Sequence, residues 1–426
     1  MSVPKVPARI LAIILVILVP FLSTAFGLTG FTAVTGPETS VIFGKTGGFM
    51  TGVCHPKPEY QTILDANIGW IRDDLPFPFD KNGEPSRVYL YHKAQLQEYA
   101  KSGIRVLAIT PYPHDYIENG LDIRNEEDIR KIQDVARFYV NDLRDCVGAF
   151  QVTNEMGVDR FTKPYTIKEA AKFIGVQLQA MYPIRGNILI GYNFGGPGLY
   201  KLPFRMLRYN AFCDFVGLDL YFGCFENVIK TIGMFPAIMR TYHLVTRKPI
   251  LLTEFGYIGY GEPKTAEEKA AILEKFGVHS EEEAAADINS FIEKLPETLQ
   301  KDIERSCAGM TDKEKAKALF QGEYANHIYC ELPKGFELIG YAHTPDGQAK
   351  FYADLIPRLR SLRFCIGAFI YMWHDSEQCY VCGQPDCPVE TGWGLIDGNG
   401  MPKPAYYAVQ QAFAKEPAFA ARAAIL

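Results

Sequence analysis

The sequence has no excess of positive charge. Its 44 Lys and Arg against 49 Asp and Glu leave a formal −5 over 426 residues, so it offers no basic field to a nucleic acid. Cysteine is sparse: 10 residues in this length are too few for a disulfide scaffold. Histidine is scarcer, at 8, and no two form a strand-end pair, which argues against a metal-dependent hydrolase barrel. Low complexity is absent too, since the 37 Gly and 27 Pro are spread along the chain and read as many tight connections. With 48% hydrophobic and 22% charged residues, disorder, collagen and coiled coil are excluded for the bulk of the chain. A large buried core is within reach of this composition.

Only one long apolar run exists. Lys5 and Arg9 precede Ile10–Leu22, thirteen residues without a charge. As a helix the run spans about 20 Å, against a hydrocarbon core of roughly 30 Å. Ser23, Thr24 and Ala25 follow like a small-residue cleavage region. Residues 1–25 are therefore expected to be a secretory signal peptide. An N-terminal membrane anchor is the alternative, because Phe26–Val34 adds no charge. Either reading puts the rest of the chain outside the cytoplasm, secreted or held at a membrane by its N-terminus.

Length alone suggests about three domains, but a barrel of alternating strands and helices exceeds 250 residues as one unit. Short β-type runs recur at Phe49–Cys54, Ile68–Asp73, Ile104–Thr110, Val147–Thr153, Ile188–Asn193, Phe215–Tyr221, Ile250–Glu254 and Cys365–Trp373. Helical patterns fall between them, and only Pro203–Asn210 is weak as a helix. Several strands are continuous apolar runs, as when both faces are covered. Eight strands alternating with helices predict an α/β fold, a (β/α)8 TIM barrel over 48–415. No glycine turn follows the first strand: Gly44–Gly48 precedes it, and Gly195-Gly196-Pro-Gly198 reads as a loop.

One interval breaks the rhythm. Between the seventh and eighth strands lies a helical insertion, 262–345, of which 262–323 carries 15 acidic and 9 basic residues. The chain's negative excess belongs to it. In a barrel it stands at the C-terminal face, as solvated decoration or as a wall of the substrate site.

Two strand ends carry a glutamate. The fourth runs into Asn154-Glu155 and the seventh ends Thr253-Glu254-Phe255-Gly256. A glutamate at the C-terminal edge of a barrel strand faces the mouth. Strands four and seven lie on opposite parts of the ring, so the two carboxylates can flank one substrate. Paired carboxylates about 5–5.5 Å apart suit retaining glycoside hydrolysis, one protonating the leaving oxygen while the other attacks the sugar.

With these motifs the chain resembles clan A glycoside hydrolases, the cellulase-like (β/α)8 retaining enzymes, over about 48–415. The resemblance implies Glu155 as general acid/base, Glu254 as nucleophile and Asn154 as the partner of a sugar 2-hydroxyl. Gly69-Trp-Ile-Arg72-Asp73-Asp74 is similar to the clan's second strand, implying that Arg72 supports the nucleophile; pairing with Asp73 or Asp74 at the barrel rim is the alternative. Gly217-Leu-Asp-Leu-Tyr221 is similar to the sixth strand, whose Tyr donates to the nucleophile. Phe369-Ile-Tyr-Met-Trp373 resembles the eighth, implying Trp373 as the floor of the sugar subsite. Two positions depart from the pattern: Asp219 stands where a His is common, and His114 follows the third strand late, between sugar binding and an ordinary loop role.

The implied substrate is a carbohydrate, and the implied activity is retaining hydrolysis of β-linked glycosides or polysaccharides without a cofactor. A non-catalytic carbohydrate-binding barrel is the alternative. No motif calls for a catalytic metal. Cys379, Cys382 and Cys387, near His374, follow the eighth strand. In an exported chain disulfides are the first expectation, with Cys224, Cys307 or Cys330 as partners; a zinc site with His374 and free thiols remain open. Cys146, Cys213 and Cys365 are expected to be small buried hydrophobes. Oligomeric state is not legible.

Overall fold

The computed structural model describes residues 37–414 apart from 226–228, 323 and 333–334. The expected leader, 1–25, lies outside the described residues. Among them no helix is long and apolar enough to cross a membrane.

Eight strands build the centre: β1 (Met50–Cys54), β2 (Trp70–Asp74), β3 (Arg105–Ile109), β4 (Val147–Gln151), β5 (Leu189–Phe194), β6 (Phe215–Leu220), β7 (Ile250–Phe255) and β8 (Cys365–Ile370). They pair in parallel in chain order, and β8 closes on β1. This is the expected (β/α)8 barrel. Strands β5 to β8 are buried at every position, which is why they read as unbroken apolar runs. Large and small side chains alternate across the interior. A Cβ on Gly52 would meet the Phe369 ring at 2.2 Å, and one on Gly191 would meet Phe215 at 2.5 Å. At both positions only glycine leaves room for the neighbour's ring.

The outer ring comprises α1 (Tyr60–Asp65), α2 (Arg87–Lys101), α3 (Glu126–Asp142), α4 (Ile167–Met181), α5 (Pro203–Met206), α6 (Met234–Thr246), α7 (Pro345–Arg360) and α8 (Pro404–Ala414). Side-chain caps set several starts. Thr166 and Glu169 form a capping box at α4, and Ser86 accepts from the Tyr89 amide at α2. That cap fixes the start of α2 at Arg87. The weak segment folds as α5 followed by a 3-10 turn, Leu207–Phe212.

One boundary differs from expectation. The barrel unit starts before residue 48: a helix at Pro37–Thr46 buries Ile42 among Met50, Trp70 and Leu107 at the N-terminal end of the barrel. The insertion is no loose decoration either. Its six helices between Ala266 and Tyr329 bury Phe291, Leu299, Ile303 and Leu319. The helix Glu297–Ser306 lies beside the short helix Asp159–Thr162, which follows β4. There Arg160 Nη2 pairs with Asp302 at 3.2 Å. The insertion thus forms a wall next to the strand end that carries Glu155.

The cysteine expectation is corrected. All ten thiols are free. The sulfurs of Cys330 and Cys382 are 4.0 Å apart, about twice a disulfide bond of ~2.05 Å. His374 does not join these sulfurs, because its Nε2 faces Glu59 Oε1 at 2.9 Å. Cys146, Cys213 and Cys365 are buried, as expected.

Candidate active site

The site is organised by a buried cation. Arg72, on β2, is completely enclosed. Its Nη1 donates to Glu254 Oε1 at 2.5 Å, its Nη2 to Asn154 Oδ1 at 2.6 Å and its Nε to Gln151 Oε1 at 3.1 Å. The guanidinium therefore serves β4 and β7 together and leaves Asp73 and Asp74 to other partners. His92 faces Asp73 at 3.4 Å, and the Tyr112 hydroxyl donates to Asp74 at 3.0 Å.

Both oxygens of Glu254 are held. Oε1 takes Arg72 and, at 3.4 Å, the Asn154 amide. Oε2 accepts from the Tyr221 hydroxyl. Register places the group: a shift between Leu218 and Asp219 sets Asp219 opposite Glu254. Asn154 cannot turn over, because its Oδ1 accepts from Arg72, from Gln151 at 3.0 Å and from Asn193 at 2.6 Å. Its NH2 is thereby fixed toward Glu254. Asn193 also donates to Asp219 at 2.6 Å, and Thr253 donates to the other Asp219 oxygen at 2.5 Å.

Glu155 follows directly on Asn154. Its amide donates to Asn193 Oδ1 at 2.9 Å, and its backbone sits in the left-handed region at φ 43°. Such a conformation is costly for a residue with a Cβ and collects at functional sites. Its carboxyl leans on Gly195, where an added Cβ would come within 2.0 Å of Oε1. The Gly195–Gly198 turn is thus a packing surface for Glu155, as the bare loop reading allowed.

Charge is arranged to match. Arg72 stays firmly protonated: burial opposes its charge, but Glu254, Cys54 and Asp219 outweigh that cost. Burial and then the Glu254 carboxylate push the Tyr221 phenol well above its ordinary range. Tyr221 therefore remains a neutral donor to Glu254. Burial is also the first cause that raises Asp219, with Glu254 adding to it and Arg72 opposing. Glu155 acts on both Asp219 and Tyr221, so the two glutamates address the same space.

Five expected residues therefore converge: Glu155, Glu254, Asn154, Arg72 and Tyr221. The other two do not join them directly. Trp373 is fully buried; its indole donates to Glu59 at 3.0 Å and packs near Tyr406. The aromatic beside Tyr221 is Tyr371, whose ring meets Tyr221, His55 and Trp393 edge-on at 5.9, 5.6 and 5.7 Å. His114 stacks on Tyr112 at 5.6 Å and faces Asp115 at 3.5 Å, standing one ring behind Tyr112. Sequence reasoning passed over Gln151, Asn193 and Tyr371. The first two were legible in principle, as amides at the ends of otherwise apolar strands.

An Arg–Glu pair with its arginine fully enclosed, a second glutamate at the end of β4 and an aromatic rim define a barrel with its site at the C-terminal mouth. No protein family matches the chain by sequence, and no curated protein matches it. Its likeness is to solved structures. One is a family 39 glycoside hydrolase from the gut symbiont Bacteroides cellulosilyticus WH2, 15% identical with a TM-score of 0.53, covering 87% of this chain and 64% of that one. Another is the GH53 catalytic domain of Ignisphaera aggregans, 14% identical with a TM-score of 0.52, covering 88% and 94%. The chain spans less than two thirds of the first and nearly all of the second. At these identities the likeness is one of fold.

Proposed function

We propose that this chain is a retaining glycoside hydrolase acting on β-linked glycosides or polysaccharides. Glu254 attacks the anomeric carbon and Glu155 protonates the leaving oxygen. Glu155 then takes a proton from the water that releases the sugar. The observation that carries this reading is the setting of Glu254, clamped by Arg72 on one oxygen and Tyr221 on the other. A nucleophilic carboxylate must keep one orientation, and a buried guanidinium on one oxygen with a phenol on the other supplies it. Asn154, locked by three donors, presents its amide where a sugar 2-hydroxyl needs a partner. Tyr371 offers a ring to an apolar sugar face.

The test is hydrolysis of a panel of aryl β-glycosides and polysaccharides, with product stereochemistry followed by NMR. Retention is expected, together with a loss of about 10²–10⁴-fold in Glu155→Gln and Glu254→Gln. An inverted product, or wild-type rates in either variant, overturns the proposal.

A further inference from the structure

A second cluster lies outside this machinery. Four buried ligand-type atoms, the imidazole of His327 and the sulfurs of Cys379, Cys382 and Cys387, all stand within 4.8 Å of one another. They come from two separate segments. His327 is on the insertion helix Tyr324–Tyr329, and the three cysteines are in the loop after β8.

We infer that His327, Cys379, Cys382 and Cys387 form a tetrahedral structural site for a zinc-class divalent cation. Zn–S bonds of about 2.3 Å and Zn–N bonds of about 2.0–2.1 Å give ligand-to-ligand edges of roughly 3.5–3.8 Å. The His327 Nδ1 to sulfur distances, 3.4 Å for Cys379 and 4.0 Å for Cys387, bracket that edge. Cys330 Sγ lies 4.0 Å from Cys382 Sγ but is only half-buried, whereas the four ligand groups are all enclosed. The Cys379-x2-Cys382 spacing also suits two sulfurs on one metal. The Cys382 amide donates to Cys379 Sγ at 3.4 Å, and Gly383, at φ 72°, returns the chain so that its amide donates to Cys379 O at 2.8 Å.

Binding sends three thiol protons to solvent and leaves a neutral imidazole and three thiolates on the dication, a net single negative charge. The effect is a staple. It joins the acidic insertion to the β8 loop, which carries Tyr380 and Glu390. Tyr380 accepts from Arg160 Nη1 at 3.4 Å, and the field of Glu390 reaches Glu254. The metal thus holds a wall of the mouth and takes no part in bond cleavage.

The test uses the full chain purified under reducing conditions. Elemental analysis is expected to find about one zinc per chain. After chelation, titration with Co²⁺ alone is expected to saturate at one equivalent with sulfur-to-metal charge-transfer absorption, which Zn²⁺ then removes. His327→Ala and Cys379→Ser are each expected to weaken binding by about tenfold or more, while Cys330→Ser keeps it. The wild-type Co²⁺ titration decides the matter even where a variant fails to fold. Absence of that spectrum with all thiols reduced overturns the site, as does a native disulfide among the three cysteines. Loss of metal in Cys330→Ser with retention in His327→Ala overturns the ligand set.

Discussion

Arg72 Nη1 lies 2.5 Å from Glu254 Oε1, with the arginine side chain wholly enclosed. This one pair ties β2 to β7 and orients the carboxylate that the proposed chemistry uses. A buried pair of this kind is costly to break, because removing one partner strands the other's charge. Arg72→Met is therefore expected to lose stability by about 3–5 kcal/mol as well as activity. Thermal unfolding beside turnover checks this, and an unchanged Tm contradicts it.

Gly195→Ala separates catalysis from folding. The new Cβ would meet Glu155 at Oε1, 2.0 Å away, and at its Cγ and Cδ, each at 2.5 Å. The obstacle is the end of a flexible side chain, so the barrel yields little and the carboxyl moves. A displacement of about 1 Å costs on the order of 10² in rate. The expected variant folds with nearly the parental Tm and turns over about a hundredfold more slowly; parental turnover would count against Glu155 as the acid.

The two aromatics after β8 are expected to behave differently. Tyr371→Ala should raise KM, because its ring stands beside Tyr221 at the mouth. Trp373→Phe should lower Tm and leave KM unchanged, since its indole spends its N–H on Glu59. Steady-state kinetics and melting curves on both variants distinguish the roles. A KM change confined to Trp373→Phe reverses the assignment.

Glu390 supplies a pH dependence. Burial is the first cause holding its carboxyl well above the ordinary value of 4.5, with Cys379 adding to the rise and Arg160 opposing it. The unfolded chain thus ionises this group more readily than the folded one. The stability it contributes is fully present below about pH 4.5 and is lost as pH rises through the folded value. Glu390→Gln cannot ionise, so its stability relative to the parent should increase from acid to neutral pH. Urea midpoints at several pH values measure this; a constant difference refutes it.

Much of this molecule is legible in sequence because the barrel's logic is periodic. All eight strands fall where apolar runs predict them, Glu155 and Glu254 follow from strand order, and Asn154, Arg72 and Tyr221 from the resemblance to clan A glycoside hydrolases. What escapes is three-dimensional in origin. Trp373 was expected at the mouth, but parity along a strand does not continue past Ile370, where β8 ends. His327 sits 52 residues before Cys379 on an inserted helix, so proximity in sequence favoured His374 instead. Gln151 and Asn193 matter because they lock Asn154, a relation that no linear pattern carries. The helix Pro37–Thr46 escaped for another reason: only the barrel floor gives its Ile42 a place to be buried.

Trapping the sugar on the protein tests the central claim most directly. Glu155→Gln is mixed with an activated 2-fluoro aryl β-glycoside of the sugar selected by the panel, quenched, digested and read by peptide mass spectrometry. The expected result is one glycosyl adduct per chain, on Glu254. Release of the aglycone without an adduct, or an adduct on any other residue, contradicts the account.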